Sequence, residues 1–139
     1  MKEAKWFIGL RKKVIVRSNN DPYLTRYTLF NCPWFSIKVH KVSSSDDYCL
    51  HDHPWAFVSL ILKGGYVEHS RFSMDDPIVR RKYRPLSVLF RPAKWTHRLE
   101  VTKTCWTFVV TFKKIREWGF HTPFGWVPWF NYREEGFCD

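Results

Sequence analysis

Short segments with strand character recur along most of the chain. The segment 35–42 alternates apolar and polar side chains residue by residue, which predicts a β-strand with one solvated face. Segments of similar character lie at 13–17, 23–30, 66–72, 78–83, 86–90, 95–101 and 105–112. Clusters of Ser, Asn, Asp and Pro separate several of these segments and are typical of turns. Because no long helical period interrupts them, the pattern predicts an all-β sandwich or barrel.

The segment 50–63 carries two histidines, His51 and His53, ahead of a continuous apolar run. Residues two positions apart on an extended strand point to the same face. If the segment is one strand, both imidazoles point to the same side, and Phe57 and Ser59 follow in the same phase. Paired imidazoles on a buried strand are suited to a divalent metal ion.

The pair Gly64–Gly65 after this run predicts a two-residue hairpin. Such a turn places Ile61 opposite Glu68 and directs Glu68 and Tyr66 into the barrel. A carboxylate in an aromatic cavity is costly unless it binds something. Glu68 is therefore a candidate general base, substrate contact or further metal ligand, and Tyr66 is a candidate catalytic residue. A shift of one residue would instead leave Glu68 in solvent.

The ends of the chain have weaker patterns. Residues 1–13 predict a short helix or an irregular arm, and the aromatic-rich tail from Trp118 to Phe137 is expected to wrap the body. Residues 1–139 are predicted to form a single domain, which is large enough for a hydrophobic core. No apolar run reaches the roughly 18 residues of a membrane span. The lack of a signal sequence predicts a cytoplasmic location.

Four cysteines, Cys32, Cys49, Cys105 and Cys138, show no CxxC spacing and are expected to be free thiols. Cys49 precedes His51 by two residues and is either a small buried thiol or a soft metal ligand. The formal net charge of +10 implies attraction to anions. Nucleic acid, phosphorylated metabolites and carboxylate substrates all fit that charge.

A third metal ligand would come from another strand that faces the same cavity. His97, at the end of the segment 92–97, is the best candidate. Three imidazoles suit Fe, Zn, Ni, Cu or Mn and leave positions open for water or substrate. The remaining histidines, His40, His69 and His121, lack such a context and are interpreted as core or surface residues.

These motifs resemble those of the cupins. His51-x-His53 with the apolar strand and Gly64 resembles the first cupin motif, and the Pro-x-Lys-x-x-His pattern of residues 92–97 resembles the second. The resemblance implies a double-stranded β-helix, the cupin jelly-roll barrel, and a small single-domain protein with a short N-terminal arm.

Two positions depart from the cupin motifs. Phe57 stands where cupins usually carry a glutamate ligand, and Lys94 stands at a glycine of the second motif. The first departure leaves a three-histidine set, as in cysteine-dioxygenase-like cupins. The Leu-His-Asp-His-Pro-Trp form of residues 50–55 also resembles uncharacterised cupins of phages and bacteria.

The resemblance implies a divalent metal, with Fe(II) favoured over Zn, Ni or Mn, and a mononuclear non-haem oxygenase of dioxygenase type. The expected substrate is a small, polar, anionic molecule. The alternatives are a non-catalytic cupin that binds a metal, sugar or nucleotide, and a metal-dependent isomerase or lyase. A nucleic-acid binder is less favoured, although residues 80–84 form a dense basic run. A homodimer is expected because small cupins commonly dimerise.

Two kinds of side chain are candidate substrate contacts. The first kind is arginine, because guanidinium groups bind carboxylates and phosphates bidentately. The second kind comprises side chains that share the predicted face of the histidines or lie close to them in sequence. The set comprises Arg26, Tyr27, Phe57, Ser59, Arg91, Trp95 and Arg98.

Overall fold

The computed structural model describes residues 6–16, 22–46, 48–132 and 138. Twelve strands and one short 3₁₀ turn, Trp129–Asn131, make up its regular structure. The strands are β1 (Phe7–Val16), β2 (Pro22–Asn31), β3 (Phe35–Val42), β4 (Leu50–His51), β5 (Phe57–Lys63), β6 (Tyr66–Arg71), β7 (Val79–Tyr83), β8 (Val88–Arg91), β9 (Thr96–Glu100), β10 (Cys105–Phe112), β11 (Gly119–Thr122) and β12 (Gly125–Pro128). Among the described residues, no helix has the length and hydropathy needed to cross a membrane.

The strands form two antiparallel sheets of six strands each. Sheet A has the order β1-β2-β3-β10-β5-β8, and sheet B has the order β12-β11-β4-β9-β6-β7. From β4 to β10 the chain passes repeatedly from one sheet to the other, which is the winding of a jelly roll. The prediction of an all-β, double-stranded β-helix is therefore confirmed.

The two sheets pack against each other through alternate residues of their strands. In β5, β6 and β10 every second residue is buried. Phe57 and Ser59 of sheet A, and Tyr66 and Glu68 of sheet B, therefore lie on the inner faces, as the sequence phase predicts. The buried core cluster joins both sheets and comprises Val42, Ile61, Tyr66, Leu89 and Cys105.

The segment 50–63 is not one strand. Its first part, β4, belongs to sheet B and ends at His51, and β5 begins at Phe57 in sheet A. Residues 52–56 carry the chain from one sheet to the other. The prediction of a continuous histidine-bearing strand is wrong, although both histidines still face the interior.

The predicted hairpin at Gly64–Gly65 is also wrong. Strands β5 and β6 lie in different sheets, and Ile61 pairs with Thr107 rather than with Glu68. Both glycines have positive φ angles, 94° and 106°, and a Cβ at Gly64 would lie 2.6 Å from the Thr104 carbonyl oxygen. The glycine pair therefore permits a sharp crossing between sheets at a point of close backbone approach.

Both ends of the chain are more regular than predicted. Residues 7–16 form β1, which pairs with β2, so the predicted helix or irregular arm is wrong there; residues 1–5 lie outside the described part. A register shift between Ile8 and Arg11 breaks the alternation that would have identified this strand. The tail forms the hairpin of β11 and β12, which extends sheet B beside β4. Residues 133–137 of the predicted tail also lie outside the described part.

Two of the four cysteines are paired. Cys49 and Cys138 form a disulfide across 89 positions of sequence, whereas Cys32 and Cys105 are free and buried. The expectation of four free thiols is wrong, and Cys49 is neither a thiol nor a metal ligand. The sequence spacing of the cysteines could not predict this disulfide, because Cys49 and Cys138 come together only in the folded chain. Because disulfides are rare in the cytoplasm, the pair is an observation against the cytoplasmic location, which stays a prediction.

Candidate metal centre

Three histidines from different elements converge between the sheets. His51 ends β4, His53 follows in the connection to β5, and His97 lies on β9 directly opposite His51. One nitrogen from each imidazole lies within 4.8 Å of the others. Donors that share one ion at about 2.0–2.2 Å each lie roughly 3–3.6 Å apart, so an ion would draw the three rings closer together. The structure thus brings together the three residues that the sequence singled out as ligands.

The chemistry of His51 and His53 fits a metal ligand. His53 Nδ1 is buried and has no hydrogen-bond partner among the described residues, which is uncommon for a buried polar atom. Burial lowers the pKa of His51 to about 4 and lowers the pKa of His53 well below its ordinary value. Both imidazoles are therefore neutral near pH 7 and offer lone pairs for coordination.

His97 is oriented by Glu68 on the neighbouring strand β6. The Glu68 side chain is 2% exposed, and its Oε2 accepts a hydrogen bond of 2.7 Å from His97 Nδ1. This bond leaves His97 Nε2 available to an ion. A carboxylate behind a ligating histidine fixes the ring orientation and makes the ring a stronger donor.

Glu68 has further partners. Arg91 donates from Nη2 at 2.7 Å and from Nε at 3.2 Å, and Trp95 Nε1 donates at 3.2 Å. Burial raises the pKa of Glu68, but the hydrogen bonds and charges of His97 and Arg91 outweigh burial and lower the pKa to about 2. Glu68 is therefore an ionised carboxylate with both oxygens engaged. The proposed roles as base, substrate contact or ligand stay predictions, and its contacts favour a positioning role.

Aromatic rings surround the histidines. The Phe57 ring centroid lies 4.6 Å from that of His53, and Trp118 and Phe120 lie 6.1 Å and 6.0 Å from His51. An apolar ring, that of Phe57, thus lies beside His53 at the sequence position where cupins usually carry a glutamate ligand. The sequence did not identify Trp118 and Phe120 as site residues; its only signal was the aromatic density of the tail.

The other predicted site residues on the inner faces have different surroundings. Ser59 and Arg26 lie on the inner face of sheet A. Arg91 and Trp95 are held by Glu68, and the Arg91 guanidinium lies 4.4 Å from the Trp95 ring. Tyr66 belongs to the core cluster, where burial raises the pKa of its phenol above the ordinary value.

Tyr27 and Arg98 lie away from the histidines. Tyr27 is on the outer face of sheet A and stacks on Trp106 with ring centroids 6.2 Å apart. Arg98 follows His97 on β9 and therefore lies on the opposite face, where it donates to the Asp46 carbonyl oxygen at 3.2 Å. The structure does not bring either side chain to the centre.

Asp52, between the two histidines, fastens the tail to the site. Its side chain is 3% exposed and accepts hydrogen bonds from the Gly119 amide at 2.7 Å and from Trp126 Nε1 at 3.0 Å. Arg116 forms an ion pair with Asp52 at 2.9 Å and also donates to the His53 carbonyl oxygen at 3.1 Å. Asp52 thus points away from the metal ligands and holds the tail beside the site.

Comparisons with known proteins agree on the fold. No protein-family model and no curated protein matches the chain. A cupin-2 domain from Rhodospirillum rubrum superposes with a TM-score of 0.65 at 14% identity, covering 86% of this chain and 80% of that one. A structure of Fe(II)-HppE with (S)-1-HPP gives a TM-score of 0.62 at 16% identity, covering 76% of this chain and 60% of that one.

Hydroxypropylphosphonic acid epoxidase from S. wedmorenis gives a TM-score of 0.59 at 14% identity, covering 76% of this chain and 59% of that one. The chain therefore spans about 60% of the length of these HppE structures. At such identities the likeness shows the fold. The chain therefore has the double-stranded β-helix fold of the cupins. Within this fold lies a three-histidine cluster whose donors suit a divalent metal ion.

Proposed function

We propose that the protein is a mononuclear non-haem Fe(II) oxygenase that acts on a small, polar, anionic substrate. The observation that carries the proposal is the set of three converging imidazoles, His51, His53 and His97. Within the described part of the chain, the nearby carboxylate, Glu68, is engaged behind His97 and does not complete the set. A three-ligand site leaves coordination positions open, which separates catalytic from structural metal sites.

The surrounding side chains have distinct roles in this proposal. Glu68 holds the His97 ring in place, while the rings of Phe57, Trp118 and Phe120 limit the access of water. A bound Fe(II) would supply open positions and the electrons that activate O₂.

Fe(II) is the metal favoured among several that imidazoles accept. Zn, Ni and Mn also suit three neutral histidines. The fold neighbours that contain Fe(II) support iron. The net charge of +10 supports an anionic substrate, and one neighbour acts on a phosphonic acid.

The test is O₂ consumption after anaerobic loading with Fe(II). Small carboxylates, phosphates and phosphonates are added in turn, with Zn(II)-loaded protein and His97→Ala as controls. We expect at least one compound to accelerate O₂ uptake by the Fe(II) protein and neither control to respond. If Fe(II) binds but no compound accelerates O₂ uptake, the oxygenase proposal fails and a non-catalytic metal-binding cupin remains.

A further inference from the structure

Three basic side chains lie together on the inner face of sheet A, apart from Arg91 and Arg98. Arg26 on β2 pairs in register with His40 on β3, and Lys38 lies two residues before His40. Arg26 Nε donates to His40 Nε2 at 3.2 Å, and Lys38 Nζ donates to Thr111 Oγ1 at 3.1 Å. We call Arg26, Lys38 and His40 the inner basic cluster.

In the part of the chain that the structure describes, the inner basic cluster lacks a counter-charge. Among the described residues, no carboxylate forms an ion pair with Arg26 or Lys38. Lys38 is only 7% exposed. Burial, followed by the charge of Arg26, lowers the pKa of Lys38 to about 7. Burial of a cation without an ion-pair partner is costly, and an anion that bound beside Lys38 would offset this cost.

Unused donors of the cluster are available to such a partner. A guanidinium has five N–H donors and an ammonium has three. Among the described residues, Arg26 donates one side-chain hydrogen bond and Lys38 donates one. His40 accepts from Arg26 through Nε2, and burial lowers the pKa of His40 to about 3. The neutral imidazole of His40 therefore orients the guanidinium and does not add a third positive charge.

The cluster and the metal centre share one wall. Thr111, the partner of Lys38, lies opposite Phe57 in the sheet, and the Phe57 ring contacts the ring of His53 at 4.6 Å. The Lys38 ammonium also lies 4.3 Å from the ring of Trp55, two residues after His53. A pocket of about 110 Å³ opens at this end of the barrel and has Lys38, Trp55 and Thr111 in its lining. The Lys38 side chain thus borders this pocket, whereas Arg26 and His40 are not part of its lining.

We infer that Arg26 and Lys38 form an oxyanion-binding site for a carboxylate, phosphate or phosphonate group, with His40 as a positioning residue. That the bound anion is part of the substrate rests on the proposed function, whereas anion binding itself does not. A molecule held by its anionic group at Arg26 and Lys38 would extend along the Phe57 wall toward the three histidines.

The test is calorimetric titration of the full chain, freed of metal with a chelator, with inorganic phosphate and with acetate. Lys38→Met and Arg26→Met should each weaken binding of at least one anion by about tenfold or more, the loss expected for a charge-assisted hydrogen bond. Lys38→Arg should retain binding. The matched control is Lys41→Met on the outer face of β3, where the ammonium lies 5.7 Å from the Trp106 ring; it should bind like wild type.

Thermal unfolding gives a second readout, the change in melting temperature on addition of an anion. Phosphate or acetate should raise the melting temperature of wild type and Lys41→Met but not of Lys38→Met. Without anion, Lys38→Met should melt no lower than wild type, because it removes a buried charge that has no ion-pair partner among the described residues. Equal anion affinity of wild type, Lys38→Met and Arg26→Met would overturn the assignment, as would the absence of any anion binding to wild type.

The two proposals fail in different ways. His51→Ala should lose metal but keep anion binding, because it leaves the inner basic cluster intact. If the Fe(II) protein consumes no O₂ while Lys38→Met weakens anion binding as expected, the oxyanion site stands and the oxygenase does not. If O₂ uptake responds to a substrate equally in wild type and Lys38→Met, the oxyanion site fails as a substrate contact.

Discussion

At the scale of single residues, Glu68 determines how His97 meets a metal ion. Its carboxylate fixes one ring nitrogen by a 2.7 Å hydrogen bond and is itself held by Arg91 and Trp95. The sequence phase predicted that Glu68 points inward, because alternation is a local property of a strand. It could not predict the partners of Glu68, which come from β8, β9 and the connection between them.

Glu68→Gln is expected to weaken metal affinity by about 10–100-fold, the usual cost of losing a carboxylate behind a ligating histidine. The measurement is competitive titration with a chromophoric chelator. Glu100→Gln is the matched control, because Glu100 lies on β9 beside His69 and is more exposed. Equal affinity of Glu68→Gln and wild type would contradict the positioning role.

Lys38 gives the oxyanion site a pH dependence. With a pKa of about 7 in the free protein, Lys38 is protonated below pH 7 and binds anions there. Sulfate affinity should therefore be constant in mildly acidic solution and fall by up to about tenfold per pH unit above neutrality. The other groups near Lys38 are Arg26, neutral His40, and Lys113 and Lys114 at the pocket mouth. A sulfate affinity that rises with pH would contradict this behaviour.

At the scale of elements, the centre is built where β4, β9 and β11 meet. Asp52 fastens β11 and β12 beside β4, so the tail supplies the aromatic wall next to His51. The sequence missed this arrangement because the hairpin of β11 and β12 has no strong period and its partner strand β4 is only two residues long.

Asp52→Asn is expected to destabilise the fold by about 1–3 kcal/mol, because it weakens the hydrogen bonds to Gly119 and Trp126 and removes the charge that pairs with the partly exposed Arg116. Denaturant unfolding measures the change, with Asp75→Asn in an exposed turn as the control. Metal affinity should fall as well, because Arg116 also supports the His53 carbonyl oxygen. A loss of less than about 1 kcal/mol, the value for a surface pair, would show that Asp52 does not hold the tail.

Strand positions were more predictable than strand partners. The alternation of residues 35–42 and the apolar runs identified most strands of both sheets, because period and burial are encoded locally. The Gly64–Gly65 pair has the composition of a hairpin turn but joins two sheets. Only contacts that are distant in sequence, such as the close approach of Thr104 to Gly64, distinguish these two outcomes.

At the scale of the whole molecule, the disulfide ties the end of the chain to the histidine segment. Cys49 directly precedes β4, and Cys138 lies 89 positions later. Reduction should lower the free energy of unfolding by about 2–4 kcal/mol, since the bond closes a long loop of the unfolded chain. Denaturant unfolding with and without dithiothreitol measures this difference. The Cys49→Ser/Cys138→Ser variant should be insensitive to dithiothreitol; a wild type that is equally insensitive would contradict the expectation.

The three histidines were predicted as a set from the sequence, because the two cupin-like motifs that contain them are recognisable despite the departures at Phe57 and Lys94. The inner basic cluster was not: Arg26 was recognised alone, while Lys38 and His40 resemble ordinary strand residues until β2 and β3 are in register. That no carboxylate of the described residues pairs with Arg26 or Lys38 follows only from the three-dimensional arrangement of the strands.

The metal content of purified protein tests the central claim most directly. Wild type should contain a stoichiometric divalent metal after loading and desalting, measured by elemental analysis. The variants His51→Ala, His53→Ala and His97→Ala should each lose it, while His69→Ala, which alters a residue beside Glu100, should keep it. Retention of the full metal content by all three ligand variants would contradict the account.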